Sequence, residues 1–413
     1  MKCFLFLFIS LSLTGQAEAA VSLKEAFEAA RGNMESIKRI DSLYQATDER
    51  RIQARAGLLP TISGVGNYTR IDPPDSAGVS RAFILEKQHS AAIRLQQPLL
   101  RGGVVSGYQI AKDEVLLSQF QKSATEINLY QLVISSYYRY YQAQLDVKNL
   151  NELLKFSRER VKEIRSRTSV GRSRRGELVQ AEAQLLTAQS QLEQGDINFI
   201  QAKETLEFYT GIKDIELAPL SIIPRELPGL ETYTDKLKTR PDLMASSQQL
   251  KISEKRIEVS KGGHYPQLDL VANYYLDRTG PLETSEWDAA LVVNVPLFQG
   301  GAVQSRVRES AEQKNAAALD YRQNVRSAET SLSVLYQNYK LIHSQLDSLK
   351  EAVSKAEEAY KLNSRDYQYG QVTNLDVLQS LNIFVETKRS YDALLASAHM
   401  TYKNIEASVG VLP

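Results

Sequence analysis

The sequence predicts an α+β membrane protein that combines long antiparallel coiled-coil helices with strands of a shared transmembrane β-barrel. Three observations predict this class. Apolar residues recur at alternating steps of four and three from Val307 to Tyr360, two pairs of short segments alternate apolar and polar residues, and the whole pattern occurs twice. The composition is that of a folding chain: of 413 residues, 43% are hydrophobic and 24% are charged.

Charge and chemistry-bearing residues exclude several classes of function. The 50 Lys and Arg residues nearly balance the 49 Asp and Glu residues, which argues against a nucleic-acid partner. The single cysteine, Cys3, excludes a disulfide scaffold and a cysteine-based zinc site. The four histidines are scattered, and the sequence contains no phosphate-binding loop, serine elbow or calcium loop. We therefore expect no enzyme activity, no metal site and no cofactor.

The N-terminus resembles an export signal. Lys2 precedes an apolar run over residues 4–13, and Ala17-Glu18-Ala19 follows as a small-x-small cleavage site. Charge, apolar core and cleavage site in this order predict a secretory signal peptide over residues 1–19, although an ordinary buried helix is the alternative. Cys3 lies before the apolar run, so a bacterial lipid-anchor site does not fit.

The remaining chain is one structural unit repeated. Three landmarks recur in the same order at nearly the same offset. Leu59-Pro60-Thr61-Ile62 recurs after 206 residues as Tyr265-Pro266-Gln267-Leu268, and Gly171 recurs after 199 residues as Gly370. Between them, Gln97-Pro98-Leu99-Leu100-Arg101-Gly102-Gly103 recurs after 198 residues as Val295-Pro296-Leu297-Phe298-Gln299-Gly300-Gly301. We therefore predict a first repeat over 20–210, a linker over 211–232 that contains three prolines, and a second repeat over 233–413.

Each repeat is predicted to contain a long helix and two shorter ones. The long helices span 104–168 and 303–368, contain no proline, and would each measure about 98 Å at a rise of roughly 1.5 Å per residue. The shorter helices are predicted over 22–57, 177–209, 235–261 and 375–409. Pro241 should delay or kink the third of these. Each repeat's short helices together match one long helix in length, so we predict that they stack end to end beside it.

Two pairs of strands alternate with period two. In the second repeat one phase is apolar and is predicted to face lipid: Leu268, Leu270, Tyr274, Trp287, Leu291 and Val293. The opposite phase, with Asp269 and Asn294, would then line a pore. A soluble hairpin with one face on a core is the alternative. Four strands cannot close a barrel, so spanning strands require several chains: two would supply eight strands, three twelve and four sixteen.

Together these motifs resemble the TolC family of outer-membrane efflux proteins. The resemblance rests on Leu58-Leu59-Pro60, the two Pro-containing segments that end in Gly-Gly, Arg240-Pro241-Asp242-Leu243 and the two turns in which an acid follows glycine after five residues. It implies a homotrimer in the outer membrane, with twelve strands in one barrel and a helical tube crossing the periplasm. The implied function is an exit duct for efflux or type I secretion, fed by an inner-membrane pump through a periplasmic adaptor protein.

The resemblance also implies a periplasmic gate at the two turns between long and short helices. It implies that Asp376, Glu177, Tyr367 and Gln379 are gate residues. Gln379 stands at a position where relatives can have a second acid, and Val372 stands where they can have an arginine. It further implies a tip that contacts the adaptor, formed by Val170, Gly171, Arg172, Arg174, Arg175, Gly370 and Gln371. The arginines that crowd the first turn could instead be a solvated face. A soluble periplasmic coiled-coil scaffold or adaptor is the competing function, and the cargo cannot be read from the sequence.

Overall fold

The computed structural model describes residues 20–72, 86–280 and 282–413, so the predicted signal peptide lies outside the described residues. Eight α-helices are described: α1 Leu23–Asn33, α2 Glu35–Ala56, α3 Val104–Ser169, α4 Arg175–Thr210, α5 Leu230–Leu237, α6 Pro241–Lys261, α7 Ala302–Gln368 and α8 Asn374–Ser408. Four β-strands are described: β1 Thr61–Arg70, β2 Lys87–Leu100, β3 Gln267–Arg278 and β4 Trp287–Asn294. The two predicted long helices and all four strands are confirmed. Among the helices described, none is both long enough and apolar enough to cross a membrane.

The described chain forms two compact units. The helical unit comprises residues 20–35, Glu126–Asp235 and Ser331–Pro413, and the sheet unit comprises Ser36–Thr125 and Lys236–Thr330 apart from the residues not described. Each repeat contributes to both units.

The sheet unit contains one antiparallel sheet in the order β1-β2-β3-β4. Its register pairs Leu268 with Val293, Leu270 with Leu291 and Tyr274 with Trp287. Directly opposed residues in an antiparallel pair share a face of the sheet. All six residues of the predicted lipid-facing set therefore lie on one face.

The Gly-Gly segment after β2 allows two backbones to touch. A Cβ atom on Gly102 would lie 2.1 Å from the carbonyl oxygen of Gly262, a distance that no side chain tolerates. Gly103 follows with φ +85°, in the left-handed region that favours glycine. The Gly102-Gly103 pair thus marks a close backbone approach between the start of α3 and the end of α6, whereas its counterpart Gly300-Gly301 has no such neighbour.

The helical unit has its core where coiled-coil positions of α3, α4, α7 and α8 meet. One cluster consists of Leu150, Leu153, Leu154, Ala188, Ala356, Leu381, Phe384 and Val385. Burying each large apolar side chain contributes about 1.5–3 kcal/mol relative to leaving it exposed. These contacts hold the ends of the four helices, and hence both turns, in place.

Two predicted helices are interrupted. The helix expected over 22–57 breaks at Met34, where the backbone is extended with ψ 125°. The Asn33 amide donates to the carbonyls of Phe208 and Tyr209 near the end of α4, a tertiary contact that sequence periodicity cannot reveal. The helix expected over 235–261 begins instead at Pro241, because proline lacks an N–H and disfavours helical backbone at the preceding residue.

Tyrosine hydroxyls anchor the chain between the repeats. Tyr336 donates to the carbonyl of Pro228 at 3.1 Å, and Tyr339 donates to that of Pro224. Tyr140 donates to the carbonyl of Ile215 at 3.2 Å. The predicted linker is therefore held against α3 and α7, and its last residues belong to α5, which begins at Leu230.

Candidate functional site at the helix turns

The two turns of the repeats share one backbone conformation. Gly171 and Gly370 both have φ +73°, which a side chain would strain. In the first turn Arg172 N–H donates to the Arg167 carbonyl at 2.8 Å, and in the second Gln371 N–H donates to the Asp366 carbonyl at 3.0 Å. These bonds end the long helix and reverse the chain into the short one, so both turns lie at the tip of the helical unit.

The acid of the second turn caps its own helix. Asp376 accepts from the Thr373 hydroxyl at 2.6 Å and from the Thr373 N–H at 2.8 Å, and the Thr373 hydroxyl in turn accepts from the Asp376 N–H. This is a capping box. The bonds from Thr373 hold the pKa of the Asp376 carboxyl below its ordinary value, so the group is ionised near neutral pH. Asp376 is exposed, as is Gln379 one turn further along α8.

The acid of the first turn, Glu177, instead contacts α7, the long helix of the second repeat. The residue that precedes α4, Arg174, makes no side-chain cap bond. Glu177 accepts a hydrogen bond from the Ser173 hydroxyl and another from the Tyr367 hydroxyl, the latter at 3.3 Å. Of the four predicted gate residues, the structure therefore brings Glu177 and Tyr367 into contact. The hydrogen bonds of Asp376 go to Thr373, outside that contact.

Two further residues at this junction were not predicted. Arg160 of α3 is only 6% exposed, and its Cζ lies 3.8 Å from the centre of the Tyr367 ring. Its Nε donates to Asn374 Oδ1 at 2.9 Å, and the Asn374 amide donates to the Glu177 carbonyl at 3.4 Å. Helical spacing places Arg160 on the same face of α3 as Leu153, Ser157 and Ile164, which are buried, but this spacing does not reveal its partners Tyr367 and Asn374.

The remaining arginines of the first turn are not equivalent. Arg165 pairs with Glu182 at 2.7 Å, and Arg167 pairs with Glu163 at 3.4 Å while its Cζ lies 4.9 Å from the Tyr367 ring. The predicted tip set is exposed throughout: Val170, Gly171, Arg172, Arg174, Arg175, Gly370 and Gln371. Among these tip residues, the first turn contributes three arginines and the second turn contributes no charged residue.

The two faces of the sheet differ in chemistry. The face that bears Leu270, Leu291 and Trp287 is apolar, and the last two are largely exposed in the single chain. The opposite face carries a chain of polar contacts, in which Arg94 donates to Asn273 at 2.8 Å and Asn273 donates to Asp288 at 2.8 Å. No group of three or more potential metal ligands occurs in the residues that the structure describes.

A sheet with one apolar and one polar face, joined to helices of 66 and 67 residues, defines a TolC-like outer-membrane channel protein. The model of the family described as outer membrane efflux protein matches residues 26–212 and 232–411, and the chain belongs to this family. It is an outer-membrane exit duct for efflux or type I secretion. This assignment favours the duct over the soluble scaffold.

Relatives cover both activities. The outer membrane efflux protein BepC of Brucella suis is 24% identical over 93% of this chain and 85% of its own length. The proteases secretion protein PrtF of Dickeya chrysanthemi is 23% identical over 98% of this chain and 91% of its own length. Among solved structures, the CmeC outer membrane channel of Campylobacter jejuni has a TM-score of 0.84 at 17% identity, covering 97% of this chain and 90% of that one. VceC of Vibrio cholerae has a TM-score of 0.83 at 16% identity, covering 94% and 96%.

Proposed function

We propose that three copies of this chain assemble the duct, with their sheets joined edge to edge in one barrel of twelve strands. The observation that carries this proposal is the pair of open sheet edges. In the described residues β1 pairs only with β2, and β4 pairs only with β3. Unpaired strand edges are not tolerated in lipid, and four strands are fewer than the roughly eight of the smallest barrels.

In this assembly the apolar face of the sheet contacts lipid and the polar face lines the pore. Leu291 and Trp287 would otherwise be exposed to water on a contiguous apolar surface. Arg94, Asn273 and Asp288 are hydrogen-bonded to one another on the polar face, and water inside a pore would solvate their remaining polar atoms. The six residues of the sequence prediction thus form the membrane-facing set.

The helix turns form the gate of the proposed duct. Glu177 and Tyr367 join the α3–α4 pair to the α7–α8 pair within one chain. Asp376, ionised and exposed beside the second turn, would recur three times around the axis of a trimer. We infer that the Glu177–Tyr367 bond restrains opening and that the three Asp376 carboxylates attract cations to the mouth.

The exposed tip is the surface for a periplasmic adaptor protein, through which an inner-membrane pump would deliver cargo. Val170 and the exposed arginines Arg172, Arg174 and Arg175 would make this contact on the first turn. In this role the chain conducts cargo without catalysis or a cofactor.

Cross-linking tests the assembly. Cys3 is the only cysteine in the chain, so single cysteines introduced into β1 and β4 can be trapped without interference from others in the folded part. We expect a three-chain species in mild detergent when both edges carry a cysteine, and none when both cysteines are placed in the paired strands β2 and β3. A monodisperse monomer in mild detergent would contradict the shared barrel.

A further inference from the structure

We propose that Arg160 is the latch of the gate, a positioning residue that holds the second turn against the first within each chain. This inference rests on the proposed gate and deepens it, because it assigns the closing contact to a residue outside the two turns. The contacts of the Arg160 guanidinium with Tyr367 and Asn374 carry the proposal.

Through its side chain Arg160 joins α3 to α7 and α8, and Asn374 extends the connection to α4. Arg160 lies on α3, its ring partner Tyr367 lies on the last turn of α7, and its hydrogen-bond partner Asn374 is the first residue of α8. Asn374 is fully buried, and its side-chain amide donates a hydrogen bond to the carbonyl of Glu177 on α4. Any motion that separates the α7–α8 pair from the α3–α4 pair must break these contacts.

Burial makes these contacts stronger than an exposed ion pair would be. The Arg160 guanidinium is 6% exposed, so its attraction to the Tyr367 ring and its hydrogen bonds act with little screening by water. Glu163 supplies the countercharge, accepting from Arg160 Nη1 at 2.8 Å. A planar guanidinium can stack on a ring and donate in its plane at the same time, which a lysine ammonium cannot do.

Single-channel recording of the full chain in planar bilayers tests the latch. In Arg160→Gln we expect the ratio of open to closed time to rise about tenfold or more, because breaking a buried charged contact costs far more than breaking an exposed one. Arg158→Gln is the matched control, since Arg158 is an exposed arginine two residues away on the same helix. Arg160→Lys should open the channel to an intermediate extent.

A double-mutant cycle distinguishes a latch from a merely structural role. Asn374→Ala removes the acceptor of the same hydrogen bond, so Arg160→Gln combined with Asn374→Ala should open the channel little more than either change alone. The amount of assembled trimer is measured in parallel. Variants that reduce assembly but leave the open time of assembled channels unchanged would assign Arg160 to folding alone and overturn the latch.

Tyr367→Phe separates the latch from the gate itself. Phenylalanine keeps the ring beneath Arg160 but removes the hydroxyl that donates to Glu177. If Tyr367→Phe opens the channel and Arg160→Gln does not, the latch is overturned and the gate stands. If neither change alters opening, both proposals are overturned. Equal opening in Arg158→Gln and Arg160→Gln would attribute the effect to charge alone and would also overturn the latch.

Discussion

His399 should make the helical unit less stable in mild acid. Its imidazole is 4% exposed, packs against the Tyr138 ring with centroids 5.9 Å apart, and has an Nδ1 without a hydrogen-bond partner among the described residues. Burial, followed by the positive charge of Lys403 and the proximity of His343, lowers the pKa of His399 from 6.5 to about 4. The folded chain therefore keeps this imidazole neutral where the unfolded chain protonates it.

The size and sign of the effect follow from these two pKa values. Because the pKa of the folded state is the lower one, the contribution to stability is fully present above pH 6.5 and is lost as the pH falls toward about 4. Between about pH 7.5 and about pH 5, the loss in unfolding free energy is about 2 kcal/mol for each chain.

Denaturant unfolding, followed by helical circular dichroism at these two pH values, measures this loss. Glutamine cannot titrate in this range, so His399→Gln should reduce the pH-dependent difference by about 2 kcal/mol, whatever its effect on stability at neutral pH, while His343, whose pKa is also lowered by burial, continues to contribute. His264→Gln is the control, because His264 is exposed, and it should retain the full difference. If His399→Gln loses as much stability between the two pH values as the unaltered chain does, the buried neutral imidazole is not the cause.

Three other predictions concern the membrane strands and the gate. Leu291→Lys should destabilise the folded barrel by about 2–4 kcal/mol if the residue lies near the bilayer midplane. Val292→Lys, one residue along on the opposite face and paired with Asp269, should assemble normally, and heat-resistant trimers on gels report both outcomes. Asp376→Asn should lower cation selectivity without changing the open time, whereas unchanged selectivity would place this carboxylate away from the pore. Glu177→Gln should lengthen open times at unchanged selectivity in the same recordings. Open times equal to those of the unaltered channel would contradict a role for the Glu177–Tyr367 hydrogen bond in closure.

Patterns local in sequence predicted most of the fold. The repeat of apolar residues from Val307 to Tyr360 predicted a coiled-coil helix, because such packing buries the apolar stripe that the repeat creates, and the predicted bounds of α3 and α7 lie within a residue or two of the observed ends. Period-two alternation likewise placed six apolar side chains on one face of the sheet. Pro241, which was expected to delay or kink a helix over 235–261, is the first residue of α6. Each of these signals acts over a few residues, so a single sequence contains it in full.

The features that escaped prediction depend on contacts between distant residues. The break between α1 and α2 rests on Asn33 reaching the end of α4, some 175 residues away. Arg160 meets Asn374 across 214 residues, and an arginine on a coiled-coil face is more often assigned to solvent than to a buried contact. Only the packing of the four helix ends makes its burial favourable, and no pattern within α3 encodes that packing.

The two turns share a backbone conformation but bond their acids differently. Glu177 and Asp376 occupy equivalent positions after glycines with the same φ of +73°, so the two turns share one backbone conformation. In the second repeat Thr373 engages the acid in a capping box, which stabilises the start of α8 locally. In the first repeat Arg174 makes no cap bond, and Glu177 accepts a hydrogen bond from the Tyr367 hydroxyl of the other repeat. Because Arg174 makes no cap bond, the Glu177 carboxylate is available for a contact between repeats, and the same tyrosine also contacts Arg160. Because the capped acid is committed to its own helix, we expect control of opening to rest on the uncapped turn.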